Sequence, residues 1–198
     1  MRVLGHLFLW GLGLARSQTQ TTAAERDCLA RHASGKRRLV EIGVWHGVTT
    51  RRLRDVMAPH GTLFAIDPYP VGRLGFSAQR VIARREVARV HNGMVQWVRL
   101  TGADAGRAHG AAGREPVDFV FIDGDHTYDG LRTDWEAWSA LVAPGGIVAL
   151  HDSRSTSERN IDGAGSVIFT AEVILRDPRF SQVDAVGTLT VLRRLSSS

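Results

Sequence analysis

From Glu41 the chain reads Glu41-Ile42-Gly43-Val44-Trp45-His46-Gly47-Val48-Thr49-Thr50: an acid, two glycines four apart, then a hydroxyl pair opening a basic, helix-like segment. This is the pattern of a strand, a tight turn and a helix start with unpaired backbone N–H groups. Glycine lets the backbone approach a ligand with no Cβ in the way. A second apolar run, Thr62-Leu63-Phe64-Ala65-Ile66, ends in Asp67, 24 residues beyond Gly43. A carboxylate at that strand tip can accept from two hydroxyls at once, which suits a ribose diol. The turn is G-x-x-x-G, not the dinucleotide pattern G-x-G-x-x-G, and holds no Lys or Arg. A ligand with a zwitterionic end fits it better than a polyphosphate.

A second constellation is Phe119-Val120-Phe121-Ile122-Asp123-Gly124-Asp125-His126-Thr127-Tyr128, followed by Leu150-His151-Asp152-Ser153. Two apolar strands would deliver Asp123, Asp125, His126, His151 and Asp152 to one rim, where open α/β sheets bind ligands. Carboxylates clustered in turns without Lys or Arg repel one another, and a divalent cation relieves that repulsion. Two carboxylates with hydroxyl and water oxygens favour Mg²⁺, with Mn²⁺ or Ca²⁺ also suited; His151, if it ligates, softens the site toward Mn²⁺. The same acids could instead cap loops. Asp125, His126 and His151 are the candidate general bases, and the residues alone do not choose among them.

The elements that must position these residues follow from periodicity and punctuation. Thr22-Ala23-Ala24-Glu25 is a capping box opening a helix through 26–32. Strands are expected at 38–42, 63–66, 95–100, 117–122 and 147–150, and helices at 49–57, 77–89, 131–141 and 167–175, with a short one at 103–109. Pro144-Gly145-Gly146 reads as the stop of the 131–141 helix. Segments 180–186 and 188–192 flank Gly187 as a final hairpin. The fold class is α/β: a doubly wound, mostly parallel seven-stranded sheet in a single domain over 1–198, with a C-terminal antiparallel hairpin.

Composition narrows the partners. The chain of 198 residues carries a formal charge of +5, and all its basic residues but Lys36 are Arg. They fall in dispersed doublets such as Arg51-Arg52 and Arg84-Arg85, as on solvated helix faces, so no nucleic-acid partner is expected. The lone Cys28 excludes an internal disulfide and a metal site built of cysteines, and fits a reducing compartment. The stretch 3–14 imitates a signal peptide, but it is too short to span a bilayer, His6 interrupts it and Arg16 sits at the would-be cleavage site. A cytoplasmic protein with no membrane span is expected, with residues 1–33 as a helical segment packing on the domain or over the site. Self-association is left open.

The motif from Glu41 to Gly47, with Asp67, resembles the first motif of the class I S-adenosylmethionine (SAM)-dependent methyltransferases, E/D-x-G-x-x-x-G. The resemblance implies a Rossmann-like fold, with Glu41, Gly43, Trp45, Gly47 and Thr49 around the methionine part of SAM and Asp67 on its ribose. Thr49 matches the hydroxyl that binds the methionine carboxylate. Trp45 packs beside the donor or anchors the core. Asp104, in the turn after the third strand, is the candidate for the adenine edge. F-I-D-G-D-H-x-Y, P-G-G and H-D resemble a small bacterial group that includes metal-dependent O-methyltransferases of sugars and glycosylated natural products; the match spans about 38–153. It implies Asp123 and Asp152 as metal ligands and Asp125 as general base. His151 departs from it, since several relatives carry an acid there. Ser153 stands where catechol-type relatives carry Asn. The implied reaction is methyl transfer from SAM to a sugar hydroxyl on a small-molecule acceptor. A phenol or catechol acceptor, or a SAM-binding module without transfer activity, are the alternatives.

Overall fold

The computed structural model describes residues 2–72 and 74–196. Its centre is a seven-stranded sheet built from β1 (Arg38–Ile42), β2 (Thr62–Ile66), β3 (Met94–Val98), β4 (Val117–Ile122), β5 (Val142–Leu150), β6 (Phe180–Val186) and β7 (Leu189–Arg194). The strand order is β3-β2-β1-β4-β5-β7-β6. The first five strands are parallel, and β7 runs antiparallel to both β5 and β6. The sheet class and the closing hairpin are those the sequence predicts.

Register makes the site. Ile42 pairs with Ile66 on one side and Ile122 on the other, and Ile122 pairs with Leu150. Four strands therefore end level. The residue after each end is Gly43, Asp67, Asp123 or His151, so four candidate positions share one rim. The order reverses between β1 and β4, the switch point where such sheets open a crevice.

The period-2 alternation of the central strands divides the core. Val40, Ile42, Val120 and Ile122 face α6 (Tyr128–Trp138) and α7 (Gly165–Glu172), packing with Trp135, Trp138 and Phe169. Leu39, Phe119 and Phe121 face α2 (Ala23–Ala33) and α3 (Val48–Val56), packing with Leu29 and Leu53. β4 is apolar on both faces except at Asp118 because helices cover both sides.

The remaining helices are α1 (Arg2–Gly11), α4 (Ala78–Val87) and α5 (Gly102–Ala111). The α2 capping box is present as predicted. The Pro144-Gly145-Gly146 stop is not: α6 passes into a 3-10 turn at Ser139–Leu141, and β5 has begun by Val142. A register shift between Val117 and Phe119 lets β5 carry this tripeptide near its start, with Pro144 and Gly145 exposed and Gly146 buried, where Pro removes no needed ladder bond. α1 packs against α4, and no described helix is long and apolar enough to cross a membrane.

Candidate active site

The β1–α3 turn is shaped by glycine. Gly43 has φ +87°, and a Cβ there would collide with the Asp123 backbone carbonyl. Gly47 has φ +74° and caps α3. Between them Trp45 also sits in the left-handed region, at φ +47°. Asp67 holds this turn in place. Its Oδ2 accepts from the N–H groups of Val44 (3.2 Å) and Trp45 (3.0 Å), and its Oδ1 accepts from Tyr69 N–H (2.8 Å). Asp67 is thus both a wall of the site and the clamp on the loop opposite.

These residues open into a cavity of about 820 Å³, lined among others by Gly43, Trp45, Thr49, Asp67, Asp123 and His126. That volume suits a ligand of nucleoside size. Thr49 is buried at its wall, with Oγ1 3.2 Å from Thr21 Oγ1. Trp45 stacks on His46, and His46 on His6. Gln18, Thr19 and Gln20 bring the segment between α1 and α2 to the same cavity.

Glu41 is not among the lining residues. It is buried within β1, and its Oε2 has no partner. Burial pushes its carboxyl well above the usual range, the charges of Asp123 and Asp67 add to this, and Thr50 opposes it.

The acids and imidazoles of the second constellation meet around Asp123. Its Oδ1 lies 2.8 Å from His151 Nδ1 and 3.6 Å from His126 Nε2. One ligand atom from each of the three falls within 4.8 Å of the others. The His151 side chain has no exposed surface, and neither ring nitrogen meets hydrogen-bond geometry. On its far side Nε2 stands 3.8 Å from Glu25 Oε2. Burial disfavours the imidazolium, but contacts with Asp123 and Glu25 and the charge of Asp152 outweigh it and push His151 up to about 10. At neutral pH it carries a proton, so it does not act as a base in this state. It also lies outside the cavity lining, whereas Asp125 and His126 belong to it.

Asp152 is engaged elsewhere. Both its oxygens accept from Arg159, at 2.6 and 2.8 Å, in a bidentate pair. The premise that no Arg neutralises these turns is therefore corrected: the guanidinium arrives from the loop after β5. Asp125 accepts from Thr127 N–H at 2.9 Å and stays exposed on the rim. Asp104 follows the lining residues Thr101 to Ala103 at the start of α5. It faces solvent in the first turn of α5, bonded to Thr101 and Arg107, while Thr101, Gly102, Ala103 and Arg107 line the cavity.

Two residues were missed in the sequence. Asp134 on α6 lines the cavity, buried against Gly102. Burial, with the charge of Asp125, raises its carboxyl to about 6, against a bond from Ala103 N–H. Glu25 was legible only as a capping residue. Its carboxylate also accepts from Thr188 N–H (2.8 Å) and Oγ1 (2.9 Å), joining α2 to the β6–β7 turn behind His151.

Fold and site together define a doubly wound domain with a cavity at its level strand ends. A family model described as a methyltransferase domain matches residues 40–153, and the chain belongs to this methyltransferase family. Among solved structures, the O-methyltransferase TomG from Streptomyces achromogenes, involved in tomaymycin synthesis and in complex with SAM, is 20% identical, with a TM-score of 0.67 over 99% of this chain and 91% of that one. An O-methyltransferase from Bacillus cereus, in complex with SAH, is 19% identical, with a TM-score of 0.66 and the same coverage. An rRNA methylase from Streptococcus thermophilus is 15% identical, with a TM-score of 0.59 over 87% of this chain and 93% of that one. At these identities the likeness speaks for the fold.

Proposed function

We propose that this methyltransferase moves a methyl group from SAM to a hydroxyl of a sugar or glycosylated metabolite, with a divalent cation at Asp123. The observation that carries the reading is that one cavity joins the Gly43–Asp67 cradle to the Asp123–His126 rim. The donor occupies the cradle, a ribose hydroxyl at the one lone pair of Asp67 that Val44, Trp45 and Tyr69 leave free, and its amino-acid end near Thr49. The Gly43 position, which no side chain could share, fits that use. Methyl transfer is an in-line displacement at a sulfonium carbon, so the protein's task is to align the two reactants and strengthen the nucleophile.

The residues also fit a cation. Asp123 offers a carboxylate oxygen, His126 a half-buried imidazole, and His151 a buried ring with unpartnered nitrogens. Two imidazoles and one carboxylate favour Mn²⁺ over Mg²⁺ or Ca²⁺. When bound, the cation lowers the pKa of an acceptor hydroxyl and orients it. Asp152 can join only if Arg159 releases it. Asp125, exposed on the same wall, takes the proton, and the buried imidazolium of His151 yields its own proton to make room for the metal.

A saccharide acceptor is supported by the lining. Besides Trp45 and His126 it presents Gln18, Thr19, Gln20, Thr133 and Asp125, and no Phe or Tyr lines it among the described residues. Labelled SAM with a panel of glycosides and phenols, with and without EDTA, tests the reading. Chelator-sensitive transfer to a glycoside is expected.

A further inference from the structure

Where α2 meets β6, three side chains that take no part in the cavity converge. Cys28 and His32 lie one helical turn apart on α2, and Asp184 reaches them from β6. Asp184 Oδ2 is 3.5 Å from Cys28 Sγ and 3.0 Å from His32 Nε2, and the three ligand atoms all lie within 4.8 Å of one another. We propose that Cys28, His32 and Asp184 form a Zn²⁺ site that ties α2 to the hairpin, with water in the fourth position.

Geometry supports this first. A tetrahedral zinc ion with sulfur at ~2.3 Å and nitrogen or oxygen at ~2.0 Å sets S···O near ~3.5 Å and N···O near ~3.3 Å. The observed separations are already close to these. Residues four apart on a helix face the same way, so Cys-x-x-x-His needs no backbone change to chelate.

The existing contacts give a second reason. Asp184 Oδ2 is approached by three donors, Cys28 Sγ, His32 Nε2 and Arg31 Nη2 at 3.2 Å, while Oδ1 accepts from Ala185 N–H. A carboxylate oxygen has two lone pairs, so the three donors compete for it. One cation bound to sulfur, nitrogen and oxygen resolves the competition. Arg31 is 61% exposed and can turn to solvent. The donor set chooses the metal: a thiolate with imidazole selects zinc against Mg²⁺ and Ca²⁺. On binding, the Cys28 S–H proton leaves to solvent as the zinc–sulfur bond forms, and His32 binds as neutral imidazole.

Co²⁺ is the probe. Added to the chelator-stripped full chain, it should bind with a thiolate-to-cobalt charge-transfer band in the near ultraviolet and tetrahedral bands in the visible, and Zn²⁺ should displace it. Cys28→Ser should lose the charge-transfer band. Asp184→Asn, a partly exposed position whose folding is checked by circular dichroism, should weaken the band at equal Co²⁺. Asp123→Asn should keep it, since no sulfur lies in that cluster. Saturation with no sulfur band, or Zn²⁺ uptake equal in wild type, Cys28→Ser and Asp184→Asn, would show a hydrogen-bonded trio and overturn the site.

Discussion

His151 Nδ1 stands 2.8 Å from Asp123 Oδ1 at the level ends of two adjacent strands, with the imidazole fully buried. An imidazolium there is a placeholder charge. With Glu25 at 3.8 Å behind it, His151 neutralises a rim that would otherwise hold unpaired carboxylates. Where a cation takes over, the proton must go.

A pH dependence of stability follows. The folded His151 titrates at about 10, above the roughly 6.5 of an unfolded histidine. Its contribution is complete below about pH 6.5 and is lost as pH rises toward 10. The metal-free protein should show a melting temperature that declines over this window, and His151→Gln should flatten the decline. A slope unchanged in that variant would place the linkage elsewhere.

Asp134 gives the opposite signature on mutation. Its carboxyl titrates at about 6 in the fold against roughly 3.9 unfolded, so it destabilises as pH rises from about 4 to 6, and the loss stays constant above that. Asp134→Asn keeps an acceptor for Ala103 N–H and removes the buried charge. It should stabilise on the order of 2 kcal/mol at pH 7 and be neutral at pH 4. Denaturant unfolding at the two pH values checks this.

Donor binding should depend on the cradle. Gly43→Val places a side chain against the Asp123 backbone at a positive φ, and should abolish SAM binding. Asp67→Ala would lose the proposed ribose bond and free the N–H groups of Val44 and Trp45, for a loss of roughly ten- to a hundredfold. Calorimetry of the folded variants measures both. Near wild-type affinity in Asp67→Ala would remove the ribose assignment.

Metal dependence should follow Asp123. Asp123→Asn should abolish turnover while leaving SAM affinity largely intact. Asp152→Asn, already paired with Arg159, should act more weakly than Asp123→Asn. Equal losses would mean that Arg159 does release Asp152 in the working enzyme. Mn²⁺ affinity should also rise with pH, since His151 must surrender a proton to bind it.

What the sequence makes legible is local. The glycine turn, Asp67 and the strand ending in Asp123 announce themselves because each strand is a short apolar run cut off by a polar residue, and level register carries them to one rim. The capping box of α2 is read correctly for the same reason. What escapes is what arrives from afar. Glu25 bonds Thr188 across 163 positions, Arg159 folds back on Asp152, and Asp134 reaches the cavity from a helix whose pattern reads as core. Asp104 follows the turn after β3 as expected, and only the fold shows its carboxylate paired with Arg107 on α5. Pro144-Gly145-Gly146 carries the residue types of a helix stop, and only the pairing of β5 with β4 shows that the strand begins before it.

The most direct test of the central claim is transfer of the labelled methyl of SAM to a glycoside hydroxyl by wild type and Asp123→Asn, each with Mn²⁺ and after exhaustive chelation. Turnover is expected only in wild type with the metal present, with SAM affinity similar in both proteins. Equal turnover in chelated wild type or in Asp123→Asn would contradict it.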